Sequence, residues 1–346
     1  MTLRTLALGL SLLAGPLAAE ICPSDSKPVV SLGFGSRYAE DSKNRSDFDE
    51  EGDKAVTAAL KPIDDFIADL ARQTDILHDP KSKPEAVAKA SACVMDSIRA
   101  WAKAGALSKL TTQGANLSAP SRVGGIAFAY AAVLDKAPGT PRDRVIEDWL
   151  RARARQTMAW FDAEAPPRAS QNNLRAWAGL AVTRVGLTLN DPALIDWGAG
   201  SAELVACTAD ADGSLPNEMW RGRLALHYQL HAVAPLVVTA ALLKERRPGL
   251  FTACNRAIPR IVGFTIAGLA DPAPVVAITG KAQSVGGPGK RPRDHELAWV
   301  PAYLRLQPDP ALAAQVRRIK KLGNSKLGGD QRLLWPARRS PAPSDG

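Results

Sequence analysis

Hydrophobic residues along most of this chain recur at intervals of three and four, which is the spacing of amphipathic helices. The stripes lie in five segments: residues 56–70, 94–101, 143–161, 174–185 and 219–243. Clusters of turn-forming residues at 136–143 and 189–194 separate successive segments, and such short connections favour antiparallel neighbours. The pattern therefore predicts an all-α protein.

Few segments have the composition of strands or of surface loops. β-Branched runs at residues 28–34 and 274–280 favour strands. Residues 35–53 are polar and lack hydrophobic periodicity, so we expect an exposed loop there. Residues 281–294 are rich in Gly, Pro and cations. Each of the two polar segments is either a solvated connection or a loop beside a cleft for an anionic chain.

The N-terminal residues are typical of a secretory signal peptide over residues 1–19. Arg4 precedes an apolar run over residues 6–13, which is too short to anchor the chain in a membrane. We therefore expect export to a bacterial periplasm. No later segment reaches about 18 uninterrupted apolar residues, which predicts no membrane insertion. We expect a monomer with one domain over residues 20–335 and a disordered tail over residues 336–346.

The balance of charges favours an anionic partner. The chain has 44 Lys and Arg residues against 35 Asp and Glu residues, a formal net charge of +9. A positive surface potential attracts anions into clefts. Nucleic acid is not favoured, because the sequence contains no recognition motif and no concentrated basic run. An acidic polysaccharide fits an exported protein better.

The cysteines predict disulfide bonds. Cys22, Cys93, Cys207 and Cys254 are an even number, which in an oxidising compartment suggests two bonds. Three pairings are open; we prefer Cys22 with Cys93 and Cys207 with Cys254, because these bonds each staple one half locally. Since the spacings offer no convergent zinc ligands, no metal and no other cofactor is expected.

The strongest candidate for chemistry is LPNEMWRGRLALHYQLHAVAPL, residues 215–236. We expect a helix that begins near Asn217. On such a helix Arg221 and Tyr228 lie on one face, about 10 Å apart along the axis, because seven residues make nearly two turns. The spacing suits either a core tyrosine beside a surface arginine or a reactive pair.

A reactive pair has a specific use. A guanidinium stabilises phenolate and is expected to lower the pKa of Tyr228. Such a tyrosine can remove a proton from carbon and return one to a leaving oxygen. The substrate's carboxylate must then be neutralised elsewhere. His231 borders the face of Arg221 and Tyr228, whereas His227 is expected to point away.

Two asparagines precede the fourth hydrophobic stripe. Either Asn172 or Asn173 is explained as a normal helix N-cap, but an N-cap does not explain both. An amide donor at a helix N-terminus also suits a carboxylate, since the helix dipole favours negative charge there.

These motifs resemble the signature of the alginate lyase family of polysaccharide lyases. The central matches are QNNLRAW, DADGSLPNE and the segment from Arg221 to Tyr228. The looser matches are GSRYAEDSKNR, SIRAWAKAGAL and HELAWVPAYL. All run in the family's order over roughly residues 22–305.

The resemblance implies an incomplete (α/α) toroid of antiparallel helices with a deep cleft and a lid formed by residues 35–53. It also implies β-elimination in 4-linked uronate polymers, generally without metal. Tyr228 would be the catalytic base and acid, Arg221 would support it, and Asn173 would help neutralise the carboxylate. The residues expected to contact substrate are Arg37, Tyr38, Arg45, Asn172, Arg175, Trp177 and His231.

The chain departs from the family at one position. The family typically has a histidine after the paired asparagines, where this chain has Leu174. Loss of such a group typically costs about 10²–10³ in rate. Arg175 or His231 could replace it. The expected function is a lyase for alginate or for a glucuronate-containing polymer; the alternative is a non-catalytic polyuronate-binding or secretion-associated protein on the same fold.

Overall fold

The computed structural model describes residue 22 and residues 26–290 and 292–337. The predicted signal peptide and most of the predicted tail lie outside these residues. The helices are α1 (Glu50–His78), α2 (Pro84–Lys103), α3 (Gln113–Lys136), α4 (Arg144–Ala163), α5 (Asn173–Leu189), α6 (Pro192–Ala206), α7 (Pro216–Met219), α8 (Ala225–Leu242), α9 (Ala253–Ala270), α10 (Ala273–Thr279), α11 (Val300–Leu306), α12 (Pro310–Arg317) and α13 (Gln331–Leu334). The strands have two residues each: β1 (Ser31–Leu32), β2 (Lys109–Leu110), β3 (Gly323–Asn324) and β4 (Gly329–Asp330).

The predicted helical stripes are buried faces of α1, α2, α4, α5 and α8, which confirms the all-α prediction. Several helices begin at an aspartate N-cap. The side chains of Asp49, Asp143 and Asp191 each accept hydrogen bonds from backbone N–H groups in the first turn of the helix that follows. Successive helices pack against one another in the predicted (α/α) toroid.

Helix α5 lies in the middle of the core, where it packs against α3, α6 and α8. The approach to α6 is close: a Cβ atom at Gly179 would stand 2.9 Å from the Cβ of Ser201 and 3.1 Å from the carbonyl oxygen of Gly198. Glycine at position 179 therefore lets the two helices touch. The N-terminal end of α5, which carries the paired asparagines, is held at a fixed depth as a result.

A C-terminal segment over residues 321–331, here named the clasp, joins the end of the fold to its first helix. Thr74 donates a hydrogen bond to the carbonyl oxygen of Gly328 at 2.5 Å, and Asp75 accepts one from the backbone N–H of Asp330 at 2.6 Å. Lys321 also pairs with Asp75 at 2.6 Å. Strands β3 and β4 pair antiparallel within the clasp and hold its turn in place.

The strand predictions for both β-branched runs need correction. Within residues 28–34 only Ser31 and Leu32 form a strand, which pairs in parallel with β2. Residues 274–280 fall on α10 and its left-handed C-cap, Gly280. Val275 is buried against the core there, so tertiary packing overrides the strand propensity of β-branched residues.

Both predicted disulfide bonds are present, Cys22–Cys93 and Cys207–Cys254. Two helical segments among the described residues, Gln113–Lys136 and Gly222–Leu242, are long and apolar enough to cross a membrane, and the bent pair Pro248–Ala270 and Ala273–Thr279 would make a third. In each of the first two, 78% of the most apolar window is buried inside the protein. The absence of membrane insertion stays a prediction.

Candidate active site

The segment expected to form one helix from Asn217 is broken before Tyr228, so that expectation was wrong. Helix α7 ends at Met219, a 3₁₀ turn follows at Gly222–Leu224, and α8 begins at Ala225. Gly222 has φ +55, and a Cβ atom there would stand 2.6 Å from the side-chain nitrogen of Asn44. Glycine adopts this conformation readily and leaves room for Asn44, and it redirects the chain at Arg221.

The break brings Arg221 directly onto Tyr228. The guanidinium carbon of Arg221 lies 3.7 Å from the centroid of the Tyr228 ring and 5.0 Å from that of Tyr38. Gln283 from the second polar loop holds the turn: it accepts from the N–H of Leu226 at 3.0 Å and donates to the carbonyl of Gly222 at 3.1 Å.

The lid lies over this pair. The hydroxyl groups of Tyr38 and Tyr228 are hydrogen-bonded to each other. Arg221 donates to the carbonyl oxygen of Arg45 at 2.6 Å. Tyr38 also stacks on Phe48, whose ring is 45% exposed at the surface. The lid therefore packs against the site through its backbone and through Tyr38.

The two arginines of the lid were both predicted to contact substrate, and the structure shows where each of them lies. Arg37 forms an ion pair with Asp53 at 3.5 Å. Arg45 is exposed and has φ +52, and its carbonyl rather than its guanidinium contacts the site. Substrate binding by the side chains of Arg37 and Arg45 stays a prediction.

Burial dominates the electrostatics of Tyr228. It raises the pKa of the phenol above its ordinary value, and the neighbouring Tyr38 raises it further, while Arg221 acts in the opposite direction. The expectation that Arg221 lowers the pKa of Tyr228 overall was therefore wrong for this arrangement. The phenol is therefore neutral near pH 7, and forming its phenolate costs free energy.

A cavity of about 460 Å³ adjoins the pair. Trp177 of α5, His227 and His231 of α8, and Lys326 of the clasp are among its lining residues. Tyr228 is not one of them, but its ring centroid lies 5.1 Å from that of His227 and 6.5 Å from that of His231. Tyr228 thus stands at the border of the cavity.

His227 lines this cavity, whereas Tyr228, from whose face His227 was expected to point away, does not. His227 and His231 are four residues apart on α8, so they share one face of the helix and one wall of the cavity. Burial lowers the pKa of His227, and it lowers that of His231 well below the ordinary value. Trp177 donates to the carbonyl of His231 at 3.2 Å. Both histidines are therefore neutral near pH 7.

A protein carboxylate occupies the N-terminus of α5. Glu218 is fully buried and accepts hydrogen bonds from the backbone N–H of Asn173 at 2.7 Å and from its side-chain amide at 3.0 and 3.1 Å. Asn172 is the N-cap and accepts from the N–H of Leu174. Burial raises the pKa of Glu218 to about 7. Asn173 therefore already binds a carboxylate, but one of the protein.

Leu174 and Arg175 make their contacts within the protein. Leu174 packs against an apolar cluster with Leu117, Trp160 and Phe161. Arg175 pairs with Asp162 at 2.9 Å, donates to Ser201 at 2.8 Å and stacks 4.2 Å from the ring centroid of Trp197. These contacts give Arg175 a structural role, and its predicted contact with substrate stays a prediction.

Sequence reasoning missed the part of the site that comes from the end of the chain. Lys326, Arg293, His295 and Glu296 line the cavity, and Asp64 reaches it from α1. The motif HELAWVPAYL was the available signal for His295 and Glu296. Lys326 had none, because the clasp brings it to the cavity through contacts with α1 that no local pattern shows.

Comparison with known proteins finds similar sequences over most of the chain. The family model described as Alginate lyase matches residues 86–275, more than half of the chain. A polysaccharide lyase of Stenotrophomonas maltophilia (strain K279a) is 32% identical over 338 residues, which cover 95% of each chain. An alginate lyase of Azotobacter vinelandii is 29% identical over 339 residues, 93% of this chain and 86% of that protein.

Solved structures share the fold. A variant of alginate lyase A1-III complexed with tetrasaccharide superposes with a TM-score of 0.72 at 21% identity, covering 92% of this chain and 87% of the other. Alginate lyase A1-III from Sphingomonas species A1 gives a TM-score of 0.65 at 21% identity, with coverages of 91% and 88%.

Proposed function

Given that the chain belongs to the alginate lyase family and is a polysaccharide lyase acting on an anionic polysaccharide, we propose that it cleaves alginate or a related 4-linked polyuronate by β-elimination, with Tyr228 as base and acid. One observation carries the proposal. The Tyr228 phenol stacks on the Arg221 guanidinium and shares a hydrogen bond with Tyr38, at the border of a cavity large enough for sugar units.

The chemistry needs one group that moves a proton both ways. The phenolate of Tyr228 takes the proton from C5 of the uronate, and the electron pair of that C–H bond becomes the C4–C5 double bond. The bond between C4 and the glycosidic oxygen breaks, and the departing oxygen takes the proton back from Tyr228. Arg221 stabilises the phenolate that the first step consumes and the last step restores.

Tyr38 determines when Tyr228 can act. Its hydroxyl group occupies a hydrogen-bonding position on the Tyr228 oxygen. Substrate must displace this contact or use it as a path for the proton. Either way, forming the phenolate costs free energy in the buried site, so kcat/KM should rise with pH on the alkaline side.

The charge on the reacting carboxylate needs a donor that this chain supplies differently from its family. Leu174 cannot donate, and the guanidinium of Arg175 is held by Asp162. Arg221 has a buried Nε with no hydrogen-bond partner among the residues that the structure describes. His231 is neutral and lines the cavity. These two side chains are the proposed replacements for the missing histidine.

Two alanine variants test this assignment. His231→Ala should lower kcat/KM about tenfold, a loss of ~1.4 kcal/mol in transition-state stabilisation, with little change in unfolding. Arg175→Ala should mainly lower stability, because Asp162 and Ser201 lose their buried partner. A loss of activity in Arg175→Ala, without one in His231→Ala, would instead assign the compensating role to Arg175.

The cellular location, the oligomeric state and the absence of a metal requirement belong to the same proposal. The predicted signal peptide over residues 1–19 supports a periplasmic location, and the family resemblance supports catalysis without metal. We also propose that the enzyme is a monomer. Detection of the unprocessed chain in the cytoplasmic fraction of the native bacterium would contradict the location.

The decisive experiment measures unsaturated uronate product by its near-ultraviolet absorbance on mannuronate, guluronate and glucuronate polymers. Tyr228→Phe should abolish product while circular dichroism stays unchanged. Tyr303→Phe is the matched control, since Tyr303 is buried on α11 and packs against Trp299 and Phe251 instead of the cavity. Wild-type activity in Tyr228→Phe would overturn the mechanism. Salt-sensitive binding throughout the panel, with no product after prolonged incubation, would favour the binding protein.

A further inference from the structure

Lys326 enters the cavity on a rigid support. It sits in a 3₁₀ turn of the clasp, and its backbone N–H donates to the side chain of Asn324 at 3.0 Å. Gly328 follows closely: a Cβ atom there would stand 2.7 Å from the Cβ of Phe128. This packing fixes the base of the lysine side chain.

The other charges of the cavity already have partners. Asp64 pairs with Arg122 at 2.8 Å, and Glu296 pairs with Arg293 at 2.9 Å. The ammonium group of Lys326, by contrast, forms no ion pair and no hydrogen bond with any residue that the structure describes. A positive charge with no protein partner in a polar cavity suits an anionic ligand.

Position separates Lys326 from the reacting centre. Tyr228 stands at the border of the cavity and contacts Arg221 and Tyr38 outside it, whereas Lys326 lines the cavity with Trp177 and His231. Because Tyr228 is absent from the lining, a sugar unit that contacts Lys326 is a neighbour of the unit whose C5 faces Tyr228. His231, which lines the cavity and whose ring centroid lies 6.5 Å from that of Tyr228, borders both units.

We propose that Lys326 binds the carboxylate of a uronate unit next to the one cleaved at Tyr228, and so selects polymers in which adjacent sugars both carry a carboxylate. The inference rests on the proposed lyase function. An alternating polymer, with a carboxylate on every second sugar, places a neutral unit at Lys326 and loses this contact. Lys326 is a specificity residue and takes no part in the proton transfer.

The surroundings also predict a pH dependence. Burial, together with the charges of Arg122 and Arg37, lowers the pKa of Lys326 to about 8, while Asp64 acts in the opposite direction. The neighbouring His231 and His295 have lowered pKa values and are neutral in this range. Binding of a carboxylate requires the protonated amine, so affinity is full below about pH 8 and falls as the pH rises above it.

Binding to an inactive background isolates the contact. The probe is a saturated mannuronate tetrasaccharide, titrated calorimetrically into Tyr228→Phe. Adding Lys326→Met should raise Kd roughly 10- to 100-fold, the scale of one charge-assisted hydrogen bond. Lys326→Arg should keep Kd within about threefold and abolish the weakening above pH 8, because arginine stays charged. Lys320→Met removes one exposed charge six residues away, outside the cavity lining, and should change nothing.

Kinetics supply the second measurement. With Tyr228 intact, Lys326→Met should raise KM on polymannuronate with little change in kcat, and should erase the preference for polymannuronate over an alternating glucuronate polymer. An unchanged Kd and KM in Lys326→Met would overturn the inference while leaving the lyase in place. Binding that depends on Lys326, without product from the wild type on any polymer, would instead refute the lyase and keep the carboxylate site.

Discussion

The buried carboxylate at the N-terminus of α5 permits a quantitative prediction about stability. Glu218 has no exposed surface, and its hydrogen-bond donors are the backbone and side-chain N–H groups of Asn173. Glu218→Gln keeps the shape and one acceptor oxygen. The new amide can also donate to the Oδ1 of Asn173, which is buried without a partner among the described residues. The substitution removes ionisation at little cost in hydrogen bonds.

The magnitude follows from the shift in pKa. Burial raises the pKa of Glu218 from 4.5 to about 7. Between these values the folded protein binds more protons than the unfolded chain, so the free energy of unfolding falls as the pH rises. At 1.36 kcal/mol per pH unit, Glu218 removes at most about 3 kcal/mol over this window and no more above it. Glu218→Gln should therefore gain about 3 kcal/mol relative to the wild type between about pH 4.5 and pH 7.5.

Urea denaturation followed by circular dichroism at several pH values measures this difference. Subtracting the two stability curves cancels the buried histidines, which titrate in both proteins. Glu203→Gln is the matched control, because Glu203 is exposed on α6. A difference curve for Glu218→Gln as flat as that of the control would show that Glu218 titrates like an ordinary surface carboxylate, and would refute the reasoning.

Three further predictions concern the lid, the altered family position and a disulfide. Tyr38→Phe removes a neighbour that raises the pKa of Tyr228, so the alkaline limb of the kcat/KM profile should move to lower pH. A limb at the wild-type pH would show that Tyr38 does not control the ionisation of Tyr228. Leu174→His should lose about 1–2 kcal/mol of stability in chemical denaturation, because Leu174 packs in an apolar cluster, and should gain less than about threefold in kcat/KM; a tenfold gain would mean that the site only lacks its histidine. Replacing Cys22 and Cys93 by serine should lower the free energy of unfolding by about 4 kcal/mol, since the bond closes a sequence separation of 71, and a loss below about 1 kcal/mol would argue against this bond.

The sequence predicted the helices well because their hydrophobic faces are local and periodic. The stripes of α1, α2, α4 and α5 needed only a spacing of 3.6 residues, and tertiary packing preserved them. The same reasoning failed at Gly222, where a positive φ fits the lid residue Asn44. Periodicity cannot show a contact between segments so far apart in the chain.

The candidate site was predictable in its motifs and not in its hydrogen bonds. Tyr228 and Arg221 lie together as the motifs suggested, and Trp177 lines the adjoining cavity beside His231. The partners that change their chemistry come from elsewhere: Tyr38 raises the pKa of Tyr228, and Glu218 takes the donors of Asn173. Motifs identify the side chains of a site, whereas burial and partners distant in the sequence determine their protonation.

The clasp also constrains the order in which the enzyme becomes functional. Its contacts with α1 join residues up to 255 positions apart, from Asp75 to Asp330. Closing so long a loop is entropically costly and belongs late in folding. A nascent chain can bury its early helices long before the wall that carries Lys326 exists. The ability to hold a polysaccharide therefore arrives last, and a chain shortened before the clasp would retain Tyr228 but lack one side of the cavity beside it.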